Sequence, residues 1–387
     1  MKSNTLIISS LASLAGASPV QPRQLLDFAL LDSAPAPSVH SVAFDEAPST
    51  VTYNLPAATQ AAVATPLPVE AASKRSINAR DDACSPQPLG SGPTPSPDTA
   101  AEFLTSVDLS TEAQGAVTPN GYYRTFFDLK ASNSAYGYSG YSTLESYDTA
   151  ECARRCDNIN SCLGFNIYFE RDPVVNPGPG CTKPDSTTNI KCVYWGGYIS
   201  AASANNAGQW REDFQVVIAG SNGYMKNSVA PISGYTGVSL GNYAINAPLN
   251  CLNQDTFMGS KIFTTSYYDV GLCAAACQSQ NEYNTAHPPS TGSPKICKFF
   301  VTYLSERNGS PEGQICSMYT QPWDTSYATN DGQWRGTDHY TNDYAFAYTD
   351  NTYVNDITCP GSVTTSPPTV IPTSAPATYS VSVRAAF

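Results

Sequence analysis

Two tripeptides of this chain combine an indole ring with side chains that form hydrogen bonds: Gln209-Trp210-Arg211 and Gln333-Trp334-Arg335. Aromatic faces can stack on sugar rings, and amide and guanidinium groups can bond to sugar hydroxyls, so the pattern indicates a carbohydrate-binding surface. A repeated tryptophan more often fills a hydrophobic core, and on sequence alone this interpretation is the stronger one. The run that contains Tyr138 and Tyr141 is another candidate contact surface, or equally a strand at a sheet edge.

Repeated charges form the main case for catalysis. Glu170-Arg171-Asp172 and Glu306-Arg307 occupy equivalent places, and a pair of carboxylates can make a glycosidase. An acid next to a base at a strand end is more often an ion pair, which is the interpretation that we favour. None of the three histidines has a spacing typical of metal ligands, and the Gly-x-Ser-x-Gly motif of hydrolases does not occur. We therefore expect no enzymatic activity, no metal and no cofactor.

The charge of the chain narrows the class of partner. The formal net charge is −12, and no run of Lys and Arg occurs in the sequence. Nucleic acids and anionic membranes bind clustered positive charge, so we expect neither as a partner. No stretch is long and apolar enough to predict a membrane span.

Both ends of the chain predict a secreted protein. An apolar stretch that closes on Ala15-Gly16-Ala17 is typical of a signal peptide over residues 1–17. Residues 18–75 lack cysteine, are rich in Ala and Pro and end at Lys74-Arg75, which predicts a disordered pro-segment removed by a furin-like protease. Residues 360–387 are rich in Ser, Thr and Pro, as in an O-glycosylated tail. The mature chain is then extracellular, in solution or on a cell wall.

All twelve cysteines lie between Cys84 and Cys359, and an even number in a secreted chain predicts disulfides. The same region contains an internal duplication. Five features recur in one order: a Tyr-Asp pair before two cysteines four apart, a Cys-Phe-Tyr segment ending in Glu-Arg, a further cysteine, a Gly-Gln-Trp-Arg run and a closing Tyr-bearing turn. The chain therefore contains two copies of one module.

The repeated features also predict local structure. Asp148 and Asp269 each stand four residues before a cysteine and are good N-caps for a short helix. Cysteines four apart share one face of that helix and can reach partners on whatever it packs against. The segments after Cys162 and Cys297 alternate apolar and polar residues, which predicts core strands.

A Cys-x-x-x-Cys helix followed by two cysteine-bearing strands resembles the apple/PAN module. The paired arrangement, with runs such as FNIYFERDP, GPGC, NAGQWR and IAGSNGY, is similar to secreted fungal proteins described as PAN-like, fruiting-body-associated or carbohydrate-binding-like. The resemblance implies two helix-to-strand bridges in each module and one bridge that closes the second, and it leaves one pair over. The implied pairs are Cys152–Cys192, Cys156–Cys162, Cys273–Cys316, Cys277–Cys297 and Cys251–Cys359, and Cys84 and Cys181, which depart from the pattern, are left to pair with each other.

The expected fold is α+β, with two disulfide-stapled apple/PAN-like modules that each pack a short helix on a small antiparallel sheet. The modules are expected over residues 116–226 and 251–359, with linkers over 76–115 and 227–250. The resemblance implies a non-catalytic protein that binds cell-wall or other extracellular carbohydrate. The alternative is a protein–protein interaction or structural role in the fungal cell wall, with a cell-wall protein as the partner. Asn308 begins a predicted glycosylation sequon.

Overall fold

The structure is a computed structural model that describes residues 26–43, 46–51, 53–63, 83–227, 231–264, 267–355, 357 and 359. The predicted signal peptide, the cleavage pair Lys74-Arg75 and the predicted tail lie outside the described residues. The described chain is a mixture of helices and mostly β-sheet. In that part of the chain, no helix has the length and apolar character to cross a membrane. The α-helices are α1 (Phe28–Ser33), α2 (Leu55–Val63), α3 (Ala100–Thr105), α4 (Val107–Gly115), α5 (Thr149–Asp157) and α6 (Val270–Ala286).

Two antiparallel sheets form the framework of the molecule. The first has seven strands: β1 (Ser49–Thr50), β2 (Tyr122–Leu129), β3 (Tyr138–Leu144), β4 (Gly164–Pro173), β5 (Ser186–Trp195), β6 (Gly208–Arg211) and β7 (Phe214–Lys226). The second has six: β8 (Tyr235–Gly241), β10 (Phe257–Phe263), β11 (Phe299–Arg307), β12 (Ser310–Tyr319), β14 (Gly332–Arg335) and β15 (Asp338–Asp350). A separate two-stranded ribbon joins β9 (Ala244–Ile245) and β13 (Ala328–Asn330).

The two sheets have the same topology. The order β3-β5-β4-β7 in the first corresponds to β10-β12-β11-β15 in the second. In each sheet the long last strand pairs near its start with a short strand, β6 or β14, and near its end with an upstream strand, β2 or β8. The duplication in the sequence is therefore a duplication in space. We call the parts built on the first and second sheets the first and second module.

Each module attaches one helix to its sheet through cysteines. The Asp148 carboxylate accepts hydrogen bonds from the backbone N–H groups of Ala150 and Glu151, at 2.9 and 3.0 Å, and Asp269 accepts one from Gly271 at 2.8 Å. Both N-caps lie where the sequence predicts them. The disulfides join Cys84 to Cys181, Cys152 to Cys192, Cys156 to Cys162, Cys251 to Cys359, Cys273 to Cys316 and Cys277 to Cys297. These are the five pairs that the resemblance implies and the Cys84–Cys181 pair that it leaves over.

The modules stack head to tail. The helix-bearing face of the second sheet, with Phe300 and Phe346, shares one hydrophobic cluster with Tyr168 and Trp195 from the face of the first sheet that lies opposite α5. The Tyr268 backbone N–H donates to the Gly196 carbonyl at 2.7 Å across this interface. Burial of several large aromatic side chains between the sheets stabilises the stack.

The predicted linkers belong to the modules. Residues 84–99 run beside β4 and β5 of the first sheet, with hydrogen bonds from Cys84 to Asn176 and from Gly92 to Thr188, and α3 and α4 pack on β7. In the second linker, β8 completes the second sheet against β15. Strand pairing supplies these segments with backbone partners that composition alone does not predict.

The N-terminal segment also differs from the disordered segment that its composition predicts. Residues 26–63, where described, form α1, β1 and α2 and pack on both modules. The apolar side chains of Leu26, Leu31, Val42 and Ala62 are buried there. A few apolar residues at suitable intervals are enough to order a segment when folded modules already present surfaces that fit them.

Candidate functional site

The two Gly-Gln-Trp-Arg runs form equivalent β-hairpins. Trp210 lies opposite Gln215 in the β6–β7 pair, and Trp334 lies opposite His339 in the β14–β15 pair. Each hairpin turns through two residues, of which the first has a positive φ: 51° at Glu212 and 64° at Gly336. The two modules thus present the same three side chains on the same local backbone.

Close approach of the backbone explains the glycine in each run. Gly208 and Gly332 have φ values of +100° and +119°, and an added Cβ would lie 2.1 Å from the Val216 carbonyl oxygen or 2.0 Å from that of Tyr340. Only glycine combines this conformation with this contact. The Asn206 side chain accepts from the Gly208 N–H at 3.3 Å, and Asn330 does the same for Gly332 at 3.1 Å. The asparagine two residues upstream therefore shapes the entry to each hairpin.

Both indoles are exposed. Trp210 is 66% exposed and Trp334 is 68% exposed, so the interpretation of these residues as core tryptophans is wrong. Each short strand pairs only with the start of a long strand, and none of its four residues is buried. Trp334 stacks on the His339 ring with 4.4 Å between centroids and 18° between planes. Each module therefore offers a flat apolar face to solvent.

The polar neighbours of the two indoles differ in their contacts. Arg211 donates to the Asn176 side chain at 3.2 Å within the first module. Arg335 forms an ion pair with Asp32 at 2.8 Å, and the Gln333 side-chain oxygen accepts from the Leu26 N–H at 3.3 Å. The second hairpin thus contacts the N-terminal segment, which lies more than 300 residues away in sequence.

Tyr138 and Tyr141 lie on β3, next to β1 at the edge of the first sheet, as the strand interpretation of this run predicts. Tyr138 is half-buried and donates to the Glu46 carboxylate at 2.5 Å, with His40 stacked on its ring at 4.0 Å. Tyr141 is buried, and its hydroxyl donates to the Glu46 backbone carbonyl. Burial first, then hydrogen bonding to Glu46, raises the pKa of Tyr138 well above its usual value. The N-terminal segment therefore covers this candidate surface.

The repeated carboxylates are structural in the first module. Glu170 and Lys191 form an ion pair at 2.5 Å, and each side chain is only 3% exposed. Asp172 is buried beside them and accepts from Asn189 at 2.7 Å, while Arg171 pairs with Asp98 at 2.7 Å. Burial, reinforced by the charge of Glu170, raises the pKa of Asp172 well above its usual value.

In the second module Arg307 pairs with Glu312 at 2.7 Å, and Glu306 is buried. Burial, followed by repulsion from Asp343, raises the pKa of Glu306 to about 8. Asp343 is itself held by Thr341, which donates to it at 2.8 Å. The ion-pair interpretation therefore holds for the two arginines, but each of them pairs with an acid other than its neighbour in sequence.

Asn308 lies on the exposed turn between β11 and β12, beside the second hairpin. Its side-chain amide donates to Asp338 at 2.8 Å and its oxygen accepts from the His339 N–H at 2.9 Å. A glycan attached there would lie next to the ring on which Trp334 stacks. The sequence signals this site only as a sequon, because the turn and the hairpin meet through strand pairing between β11 and β15.

Within the described ranges, no group of three or more His, Cys, Asp or Glu side chains is arranged to hold a metal ion. No family model, no curated protein and no solved structure matches this chain. The candidate site is therefore assigned from its own geometry: two exposed indoles, each flanked by an amide and a guanidinium on a rigid hairpin.

Proposed function

We propose that this protein is a secreted, non-catalytic binding protein whose two apple/PAN-like modules engage cell-wall or other extracellular carbohydrate. The observation that carries the proposal is the pair of exposed indoles at equivalent positions, Trp210 and Trp334. Single exposed apolar residues are common on protein surfaces and need no explanation. The same tryptophan exposed twice, on the same hairpin and between the same two polar residues, is a feature of the module.

The chemistry of the hairpin suits a sugar. An indole face can cover the C–H face of a pyranose ring, and the flanking Gln and Arg side chains can bond to its hydroxyls. The backbone around each indole is restrained by the positive-φ glycine and the asparagine contact. A pre-organised contact residue loses less entropy on binding, which favours recognition of a small rigid ring.

Six disulfides support an extracellular location, since such bonds persist in oxidising compartments. In each module one helix is linked by disulfides to an antiparallel sheet, which supports the apple/PAN-like assignment. The fungal assignment rests on the sequence resemblance. Two sites in one chain gain avidity on a polymer that repeats the same sugar, provided that both can reach it. A wall polysaccharide is such a polymer.

The test is retention of the full secreted chain on insoluble polysaccharides, comparing wild type with Trp210→Ala, Trp334→Ala and the double variant. We expect Trp210→Ala to weaken retention roughly tenfold or more and the double change to abolish it. Tyr283→Ala is the matched control, since this tyrosine on α6 is 60% exposed and lies outside both hairpins. Equal retention of all four Trp forms, or no retention of the wild type on any polysaccharide, would refute the proposal.

The edge of the first sheet favours a protein-binding role as the second candidate. β3 already accepts an added strand, β1, through main-chain pairing, which is a common mode of peptide recognition. A protein partner that binds in this way would be captured equally by wild type and by the double Trp variant, and soluble sugars would not compete with it.

A further inference from the structure

The N-terminal segment engages the second hairpin through three different contacts. The Leu26 N–H donates to Gln333, and the Asp32 carboxylate pairs with Arg335 at 2.8 Å. The Phe28 ring lies under the Arg335 guanidinium, 4.6 Å from its centre to the ring centroid, and meets the Tyr340 ring edge-on at 5.0 Å. A hydrogen bond, an ion pair and a flat ring are the contacts that a ligand of this surface would be expected to make.

These contacts are held in place by buried anchors. Leu26 and Leu31 are buried in the cluster that covers the second sheet on the face opposite α6, together with Ile315 and Tyr340. Asp27 caps α1 by accepting from two backbone N–H groups at 3.1 Å each. The short helix thus has a defined start, and Phe28 and Asp32 project from one turn to the next on the same side.

Further contacts tie the same segment to the first module and to α6. β1 pairs with β3 so closely that a Cβ on Gly140 would lie 1.9 Å from the Ser49 carbonyl oxygen. Farther on, the Tyr53 hydroxyl donates to Asp269, the N-cap of α6, at 3.1 Å. The contacts on the second hairpin therefore belong to a longer segment that runs over both modules. We call this segment, residues 26–63 where described, the strap.

The first hairpin is in a different state. Gln209 is exposed whereas Gln333 is half-buried under the segment, while Trp210 and Trp334 are exposed to nearly the same extent. The two hairpins have the same sequence at these positions and the same local backbone, so the difference arises from the strap and not from the hairpins.

The charge on the strap indicates what the second hairpin prefers. The bond from Arg335, with a smaller contribution from Arg307, holds the pKa of Asp32 below its usual value. Both arginines thus favour an anionic group at this position, although the chain as a whole carries a net charge of −12. A polysaccharide with carboxylate groups would supply the anion that Asp32 now provides.

We propose that residues 26–34 occupy the polar groups of Gln333 and Arg335 as an internal ligand mimic, and that the second hairpin, once these groups are released, binds a uronate-containing polysaccharide. This inference rests on the carbohydrate-binding function proposed above. Cleavage after Arg75, which the sequence predicts and which lies outside the described residues, would cut the covalent link between the strap and the modules. The strap would then be held by non-covalent contacts alone, and its release would add a second site to the first.

The experiment isolates the second hairpin in the uncut full chain by placing every form in a Trp210→Ala background. Titration calorimetry with soluble polygalacturonate then compares this background with added Asp32→Asn or added Phe28→Ala. Loss of one exposed ion pair or of one cation–ring contact weakens the mask, so we expect roughly a threefold to tenfold gain in affinity from each change.

Two controls separate masking from other effects. Glu282→Gln removes an exposed carboxylate from α6 and should leave the affinity unchanged, which excludes a general effect of net charge. A soluble neutral β-glucan should gain much less than polygalacturonate from either change. Adding Trp334→Ala should abolish the gain, because the unmasked site would then lack its indole.

The outcomes are distinct. Unchanged affinity in Asp32→Asn and Phe28→Ala, in a chain whose wild type binds polysaccharide through its indoles, overturns the mask and leaves the proposed function intact. An equal gain for neutral glucan overturns the preference for uronate. Failure of the wild type and of every variant to bind any polysaccharide overturns the proposed function itself.

Discussion

The two modules share a fold and a hairpin, but the neighbours of their buried glutamates carry opposite charges. In the first module, Glu170 pairs with Lys191, which also lies 5.1 Å from the Tyr141 ring centroid. In the second module, Glu306 is buried with an acidic neighbour, Asp343, and its pKa rises to about 8. The same Glu-Arg motif thus leads to a buried ion pair in one copy and to a protonated acid near neutral pH in the other.

The register of β11 accounts for the difference. Glu170 lies on the same side of the first sheet as Lys191. The register shifts just before Glu306, which therefore faces Asp343 on the side of the sheet opposite Ile315, the counterpart of Lys191. A motif repeated in sequence does not guarantee a repeated interaction, because the partner comes from another strand.

The largest loss of stability is expected from Lys191→Met in the first module. This change removes the cation from Glu170 and Asp172 and leaves buried carboxylates without compensation, so we expect a loss of about 3 to 5 kcal/mol in the free energy of unfolding at pH 7. Chemical denaturation measures the loss. Ile315→Met in the second module is the matched control and should cost less than about 1.5 kcal/mol. A loss as small as that of the control would show that the pair contributes little.

The protonated state of Glu306 predicts a pH dependence. A carboxyl whose pKa rises from 4.5 in the unfolded chain to about 8 in the folded protein binds a proton more tightly when folded. Its contribution to stability is therefore greatest at acidic pH and declines as pH rises from about 4.5 to about 8. We expect a loss on the order of 3 kcal/mol between about pH 5 and about pH 8.

Denaturation curves across this pH range provide the measurement for Glu306. Glu306→Gln should flatten the decline and raise stability at pH 8, because the amide cannot ionise. If the variant keeps the slope of the wild type, another group is responsible for the pH dependence.

A few buried side chains anchor the strap on the modules. Leu31→Ala removes a buried anchor of α1 from the second sheet and should cost about 2 kcal/mol. Hydrogen exchange should rise in β14 and the start of β15, and it should stay unchanged in β6 and the start of β7. Uniform exchange in both hairpins would contradict the one-sided cover.

The smallest change in stability is expected from the two equivalent tryptophans. Trp210→Ala and Trp334→Ala should each change the free energy of unfolding by less than about 0.5 kcal/mol, because both indoles are exposed. Thermal or chemical unfolding measures this directly. A loss of several kcal/mol in either variant would mean that the indole is packed in the core.

The duplication, the N-caps at Asp148 and Asp269 and the presence of disulfides follow from the sequence without the structure. These features depend on residues close in sequence, or on an even set of cysteines that has to pair. Spacing alone carries such information, because caps, helix faces and strand alternation act over a few residues.

Three features emerge only from the folded chain: Trp210 and Trp334 are exposed, Glu306 faces an acid where Glu170 faces a cation, and the N-terminal segment contacts one hairpin. Each of these facts depends on which element lies opposite, across a strand register or across more than 300 residues in the case of Asp32 and Arg335. The local sequence around a tryptophan between Gln and Arg is the same whether the indole is buried or exposed. Long-range packing alone distinguishes the two, because burial is a property of the folded chain.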